Sequence, residues 1–150
     1  MSESAPTRDW RSMRAHTGSC VCGAVRFEVE VDLSAGVTRC NCTFCTKLHA
    51  SGVTVKPDAF RLVQGGDALT RYAHTPGAPE RAFCKRCGTH LFGDGDIPQL
   101  GGAFVSINVQ TLDGVELSEI PLAYWDGRHD NWMAGTRPAP WPIYARTPDA

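Results

Sequence analysis

Seven cysteines in three short groups constrain this chain more than any other feature of its 150 residues. The groups are a pair at Cys20 and Cys22, a triple at Cys40, Cys42 and Cys45, and a pair at Cys84 and Cys87. An odd number of cysteines fits a disulfide framework poorly, whereas each group is local enough to chelate an ion. Tetrahedral zinc, with Zn–S distances of about 2.3 Å, needs sulfurs roughly 3.8 Å apart, which such short spacings can provide. The pattern therefore predicts zinc ligands.

Seven ligands divide most simply into a set of four and a set of three. Closed four-ligand zinc sites are structural, whereas three-ligand sites keep a position for water or substrate. The two distant pairs would form the closed site and the central triple the open one, although spacing alone does not enforce this division. One alternative is a second closed site, completed by His49 or His90. Another is a redox pair at Cys84 and Cys87, but no thioredoxin-like βαβ pattern surrounds it.

Charge and hydropathy narrow the range of partners. The chain has 15 Lys and Arg against 16 Asp and Glu, with no long run of like charges, so the basic patch typical of nucleic-acid binding is missing. No apolar stretch approaches the roughly 20 residues that span a bilayer, and the first 15 residues lack the apolar core of a signal peptide. We expect a cytoplasmic protein without nucleic-acid or membrane partners, in which clustered cysteines bind metal.

The apolar pattern predicts a mainly β domain. Residues 25–31 alternate apolar and charged side chains with a period of two, and residues 103–109 repeat this tendency. Shorter apolar runs occur at 53–55, 60–63, 69–72, 81–83 and 91–92, with Gly and Pro between runs, as at Gly93 to Gly95. Short helical turns are expected only at 115–120 and 130–134. We predict a tail over 1–15, one domain over 16–137 and a Pro-rich tail over 138–150.

Several motifs are similar to those of a known family. They are GSCVCGAVRF at 18–27, CNCTFC at 40–45, FCKRCG at 83–88, VSINV at 105–109 followed by Leu112-Asp113, and DGRHDNW at 126–132. In this order and spacing they resemble the glutathione-dependent formaldehyde-activating enzyme family, whose domain also occurs in centromere protein V. The resemblance covers most of the chain.

The resemblance implies a β-tent fold of several coiled antiparallel sheets with two zinc sites. It implies a structural zinc on Cys20, Cys22, Cys84 and Cys87, and a catalytic zinc on Cys40, Cys42 and Cys45. The implied reaction joins a thiol such as glutathione to a small aldehyde such as formaldehyde, giving S-hydroxymethylglutathione, and is classed with carbon–sulfur lyases.

Substrate contacts are less well defined by the sequence. Weak candidates for holding a substrate carboxylate are Lys47, Arg71, Arg81 and Arg128, each of which has a solvated surface charge as its ordinary interpretation. His16, His74 and His129 have the ordinary interpretation of hydrogen-bonded residues. The competing hypothesis for the whole chain is a non-catalytic zinc-binding module that recruits a protein partner.

Overall fold

The computed structural model describes residues 9–144, and this range folds into two β-sheets with one short α-helix. The strands are β1 (Ala15–Ser19), β2 (Arg26–Glu30), β3 (Val37–Cys40), β4 (Gly52–Val55), β5 (Phe60–Gln64), β6 (Leu69–Ala73), β7 (Glu80–Cys84), β8 (His90–Ile97), β9 (Gly102–Asn108) and β10 (Leu122–Trp125). The helix α1 is Thr43–Leu48. Turns of 3-10 helix occur at Leu33–Ala35, Pro57–Ala59, Gly66–Ala68, Pro98–Leu100, Val109–Thr111, Leu117–Glu119, Gly127–His129 and Trp132–Ala134.

The two sheets differ in size and in strand direction. The smaller sheet has the order β1-β2-β5 and is antiparallel throughout. The larger has the order β10-β3-β4-β9-β8-β7-β6, and its strands pair antiparallel except for the parallel edge pair β10 and β3. The predicted mainly β fold with several sheets and two cysteine clusters is therefore confirmed. None of the helical segments between residues 9 and 144 is long and apolar enough to cross a membrane.

Three phenylalanines join the two sheets. Phe27 of β2 and Phe60 of β5 have ring centroids 5.5 Å apart, and Phe92 of β8 lies 4.7 Å from Phe60 and 6.4 Å from Phe27. The alternation in residues 25–31 is responsible, because it places Phe27 and Val29 on the buried face while Glu28 faces solvent. These aromatic contacts therefore hold the smaller sheet against β8, the strand that precedes β9 in the larger sheet.

Strand β8 is much longer than the short run at 91–92 predicted. Gly93 and Gly95 are inside it rather than at a turn, so the expected break there is wrong. A Cβ on Gly93 would lie 2.8 Å from the Glu80 carbonyl oxygen and from the Arg81 side chain. Glycine is needed here because the neighbouring strand β7 approaches closely, and close approach of another backbone is a known reason for glycine inside a strand.

The predicted short helical turns are present as the 3-10 turns Leu117–Glu119 and Trp132–Ala134. The sequence interpretation missed α1, which begins after Cys42. The Cys42 sulfur accepts a hydrogen bond from the Cys45 backbone N–H at 3.3 Å, so a thiol occupies the N-cap position usually filled by Ser, Thr, Asp or Asn. The helix ends at His49, whose backbone is left-handed at φ 55°.

The proposed domain limits remain a prediction, and residues 1–8 and 145–150 of the predicted tails lie outside the described range. Within the predicted N-terminal tail, Trp10 is only 2% exposed and is part of the core. Within the predicted C-terminal tail, Trp141 is half-buried and donates its Nε1–H to the Tyr124 carbonyl at 2.8 Å. Both tails therefore include tryptophans packed on the domain.

Candidate functional site

The first cysteine cluster brings together Cys20, Cys22, Cys84 and Cys87, whose sulfurs all lie within 4.8 Å of one another. The Cys22 sulfur is 3.6 Å from that of Cys20 and 3.7 Å from that of Cys84. These separations match the roughly 3.8 Å expected for tetrahedral zinc. The donors are soft thiols at a tetrahedral spacing, so the cluster fits a closed zinc site.

Two tight turns aim these sulfurs at one point. Gly88 has φ 80° and donates its N–H to the Cys84 carbonyl at 2.7 Å, which folds the Cys84–Cys87 segment back on itself. In the other turn, Gly23 has φ 77° and donates to the Cys20 carbonyl at 3.0 Å. Glycine adopts this left-handed conformation without the steric cost of a Cβ. A metal here would tie the β1–β2 loop to the end of β7.

Hydrogen bonding favours the thiolate form at one edge of this cluster. The Thr89 hydroxyl lies 3.2 Å from the Cys87 sulfur and lowers the pKa of Cys87 to about 5. A metal-binding thiol has to lose its proton, so a lowered pKa reduces the cost of binding.

The second cluster brings together the sulfurs of Cys40, Cys42 and Cys45, again within 4.8 Å of one another. Cys40 is the last residue of β3, Cys42 caps α1 and Cys45 lies in its first turn. The strand end and the helix start therefore build this cluster from six consecutive residues. Across residues 9–144, no histidine, aspartate or glutamate places a ligand atom within 4.8 Å of all three sulfurs.

The pKa values of Cys40 and Cys45 in this cluster shift in opposite directions. A hydrogen bond from Cys45 lowers the pKa of Cys40 to about 5; burial opposes this, while the backbone N–H groups of Cys42 and Gly127 support it. The same hydrogen bond, together with burial, raises the pKa of Cys45. Hydrogen bonding therefore favours the anionic form of Cys40 over that of Cys45.

The loop 126–132, which follows β10 and which we call the clamp loop, packs against Cys40. The sequence analysis identified its motif and offered Arg128 as a substrate contact, but it did not predict this contact with Cys40. Gly127 packs directly against the Cys40 sulfur, since a Cβ at Gly127 would overlap that atom and lie 2.7 Å from the Trp132 ring. The buried Asp126 carboxylate accepts from the Asn41 amide at 2.8 Å. The available signal was the DGRHDNW motif, in which polar and charged residues cluster without the period-two alternation of a half-buried strand.

Hydrogen bonds from both Asn41 and the clamp loop join the two segments. Asn41 accepts from the Arg128 backbone N–H at 2.9 Å, and its carbonyl accepts from the Arg128 side-chain Nε at 2.9 Å. Asp126 is also 2.7 Å from Nδ1 of His129, and its pKa is held below the usual range chiefly by the Asn41 hydrogen bond. Asn41, which separates Cys40 from Cys42, therefore has its side chain and its carbonyl fixed by the loop.

The four cationic candidates for substrate binding occupy different surroundings. Arg71 forms ion pairs with Glu80 and Asp94, and Arg128 holds Asn41 as described. Arg81 lies over the Phe44 ring at 5.6 Å. Lys47 is exposed on α1 and lines a shallow groove that also contains His49 and His90.

A pocket of about 230 Å³ adjoins the three-cysteine cluster. Its lining includes Arg39, Cys40 and Cys45, and its outer wall includes Trp141. The sequence interpretation did not single out Arg39. A larger groove of about 460 Å³ lies along β1, β2 and β5, but no cysteine lines it. The smaller pocket is the better candidate for binding a reactant because it is next to the sulfurs.

Comparison with known proteins agrees with these features. A family model described as glutathione-dependent formaldehyde-activating enzyme matches residues 15–126. A Halomonas elongata protein named "Putative glutathione-dependent formaldehyde-activating enzyme" is 37% identical over 89 residues, which is 50% of this chain and 53% of that protein. The aligned region thus spans about half the length of that relative.

A solved structure shares the fold. The crystal structure of a Rhodobacter sphaeroides protein aligns with a TM-score of 0.61 and 31% identity, covering 71% of this chain and 98% of that one. The family match begins with β1 and ends in the clamp loop at Asp126, so it includes all seven cysteines. The chain belongs to the glutathione-dependent formaldehyde-activating enzyme family.

Proposed function

We propose that this protein is a zinc enzyme that joins a thiol such as glutathione to a small aldehyde such as formaldehyde, or cleaves the resulting adduct. Such a reaction is of the carbon–sulfur lyase class. The observation that carries the proposal is a cluster of three cysteine sulfurs, beside a pocket, that no fourth ligand completes within residues 9–144. Family membership supports glutathione and formaldehyde as reactants.

Two zinc ions are part of the proposal. Cys20, Cys22, Cys84 and Cys87 would hold a structural ion, because four sulfurs complete a tetrahedral site. Cys40, Cys42 and Cys45 would hold the catalytic ion, and neither His49 nor His90 joins their sulfurs. When bound there, zinc would supply an exchangeable coordination position at which an incoming thiol loses its proton.

The ligand set itself favours thiol chemistry over hydrolysis. Three thiolates donate more negative charge to a divalent ion than three neutral imidazoles do, so water at the fourth position would be only weakly acidified. A fourth sulfur, by contrast, completes the same ligand set as the stable four-cysteine cluster. The clamp loop keeps Cys40 in place by packing Gly127 against its sulfur.

The proposed reaction balances without a redox partner. The thiol sulfur forms a bond to the carbonyl carbon while the carbon–oxygen π bond breaks. The thiol proton ends on the resulting hydroxyl oxygen, and cleavage is the reverse. Bringing both reactants to one site removes the entropy cost of their encounter, which contributes up to about 7–11 kcal/mol in ideal cases.

Exchange NMR with ¹³C-labelled formaldehyde and glutathione tests this proposal. Zinc-loaded wild-type protein should increase the exchange rate between free formaldehyde and the adduct, and Cys42→Ala should abolish that increase while leaving a folded protein with about one zinc ion. Thr43→Ala is the matched control, because Thr43 is an exposed neighbour in α1 outside the ligand set. Unchanged exchange with fully zinc-loaded wild type would favour the non-catalytic module instead.

Cytoplasmic location is also part of the proposal. The seven cysteines are free thiols rather than disulfides. Clustered free thiols are typical of proteins kept in a reducing compartment.

A further inference from the structure

The pocket beside the three-cysteine cluster is built partly by residues beyond the family match, which ends at Asp126. Its lining is Arg39, Cys40, Asn41, Cys45, Thr46, His49, Ala50, Tyr124, Trp125, Pro140, Trp141 and Ile143. Pro140, Trp141 and Ile143 form one wall of it, and we refer to the segment 137–143 that carries them as the strap. The strap therefore lies outside the region that the family model matches.

The strap is fixed to β10 and to the cysteine segment. Tyr124 and Arg137 exchange two backbone hydrogen bonds of 2.8 and 3.1 Å. Trp141 donates its Nε1–H to the Tyr124 carbonyl at 2.8 Å and accepts from the Asn41 amide at 3.5 Å through its own carbonyl. The Arg137 guanidinium stacks on the Trp141 ring at 3.9 Å. A wall held by this many contacts is pre-formed rather than induced by a ligand.

Arg39 lines this pocket, and none of the ion pairs within residues 9–144 includes it. Its Nε donates to the buried Ser51 hydroxyl at 2.6 Å, which fixes the position of the side chain. No carboxylate within residues 9–144 forms an ion pair with it, although the side chain is half-buried. A half-buried guanidinium without a carboxylate is costly in the free protein, and its planar fork suits a carboxylate ligand.

The other cations near the site are already engaged or face elsewhere. Arg128 binds the Asn41 carbonyl, and Arg137 donates to the Ala139 and Pro140 carbonyls while it stacks on Trp141. Lys47 lines a second groove, whose lining includes none of the three cysteines. Arg39 is therefore the cation best placed to meet an anion in the pocket.

We propose that the pocket between α1, β10 and the strap binds the carboxylate-bearing arm of the thiol substrate, with Arg39 as the carboxylate partner. At about 230 Å³ the pocket is smaller than the 300–1,000 Å³ typical for whole drug-sized ligands, so it accommodates one arm rather than a complete tripeptide. This inference rests on the proposed function, since it assumes that the thiol sulfur binds at the three-cysteine cluster.

A pair of thiols that differ only in charge tests the inference. The probes are 3-mercaptopropionate and its neutral amide, titrated into protein with cobalt at the three-cysteine site while the thiolate-to-cobalt absorption is recorded. Wild type should bind the carboxylate thiol at least about 10-fold more tightly than the amide, as expected for a charge-assisted hydrogen bond. Arg39→Met should lose this preference and leave affinity for the amide nearly unchanged.

Two further variants make the result specific. Arg39→Gln retains an amide that can reach Ser51 but lacks the charge, so it should lose the preference even if Arg39→Met folds poorly. Arg14→Met is the matched control, because Arg14 is highly exposed and is not among the residues that line the pocket. It should retain the wild-type preference.

Each alternative outcome has a distinct meaning. If both thiols change the wild-type spectrum with equal affinity, the inference is overturned and the proposed function stands. If Arg39→Met weakens both thiols equally, Arg39 only balances the charge of the sulfur cluster, and the inference is again overturned. If neither thiol changes the wild-type spectrum, the proposed function fails and the inference fails with it.

Discussion

Replacing Gly127 with alanine should weaken the three-cysteine site without unfolding the protein. Gly127 does not have the left-handed backbone that alanine avoids, since it is not among the glycines with positive φ. The added methyl group would overlap the Cys40 sulfur and lie 2.7 Å from the Trp132 ring. The effect is therefore steric, and it falls on the sulfur that the clamp loop holds.

The magnitude follows from the cost of overpacking. An extra methyl group in a tightly packed site typically costs about 1–3 kcal/mol. If that strain is borne by the Cys40 side chain when it binds metal, affinity at the three-cysteine site should fall by roughly 5- to 150-fold. The atoms that a Gly127 Cβ would crowd belong to Cys40 and Trp132 rather than to the four-cysteine site, so the affinity of that site should not change.

Competition with a chromogenic zinc chelator measures both sites in one titration. The matched control is Gly66→Ala, because Gly66 also begins a 3-10 turn and lacks a positive φ, but its Cβ would have only an ordinary contact of 3.5 Å with Leu62. The control should retain both affinities. Equal weakening of both sites in Gly127→Ala, or no weakening of either, would refute the role assigned to the clamp loop.

Three other changes have equally definite expected results. Cys87→Ala should lower the free energy of unfolding and the zinc content together, because it breaks the cluster that ties the β1–β2 loop to β7. Urea denaturation with metal analysis checks this. A decrease in the free energy of unfolding no larger than that of Cys42→Ala would contradict the division into structural and open sites. Phe92→Ala should lower the free energy of unfolding by about 3–5 kcal/mol, since Phe92 contacts rings from the other sheet, and a change below about 1 kcal/mol in urea denaturation would contradict the packing described. A limiting amount of chelator should remove zinc from the three-cysteine site first, because that site has one protein ligand fewer. Filling the emptied site with cobalt identifies it by its absorption, and release in the opposite order would contradict the assignment.

The cysteine clusters could be predicted from sequence because their chemistry is local. Three groups of closely spaced thiols have few uses in a chain with an odd cysteine count. The strand around Phe27 was equally accessible, since its alternation has a period of two. In both cases the information lies within a few consecutive residues.

The parts that escaped prediction depend on contacts between distant segments. The sequences of strands β3 and β10 lack a clear alternation of apolar and polar residues. Their parallel pairing, which puts Trp125 opposite Cys40, is known only from the structure. Gly93 was interpreted as a turn residue because its role is to let β7 approach β8, which no local pattern reveals. The clamp on Cys40 likewise joins residues more than 80 positions apart. Arg39 could not be selected because it becomes distinctive only once the ion pairs within residues 9–144 are known and none of them includes it.

Anomalous diffraction at the zinc edge, from crystals of the zinc-loaded protein soaked with 3-mercaptopropionate, tests the central claim most directly. Two zinc peaks per chain are expected. One should be bound by the sulfurs of Cys20, Cys22, Cys84 and Cys87, and the other by those of Cys40, Cys42 and Cys45 with the added thiol as fourth ligand. A single zinc peak, or a histidine nitrogen in the fourth position of the second site, would contradict the claim that this site is open to a thiol substrate.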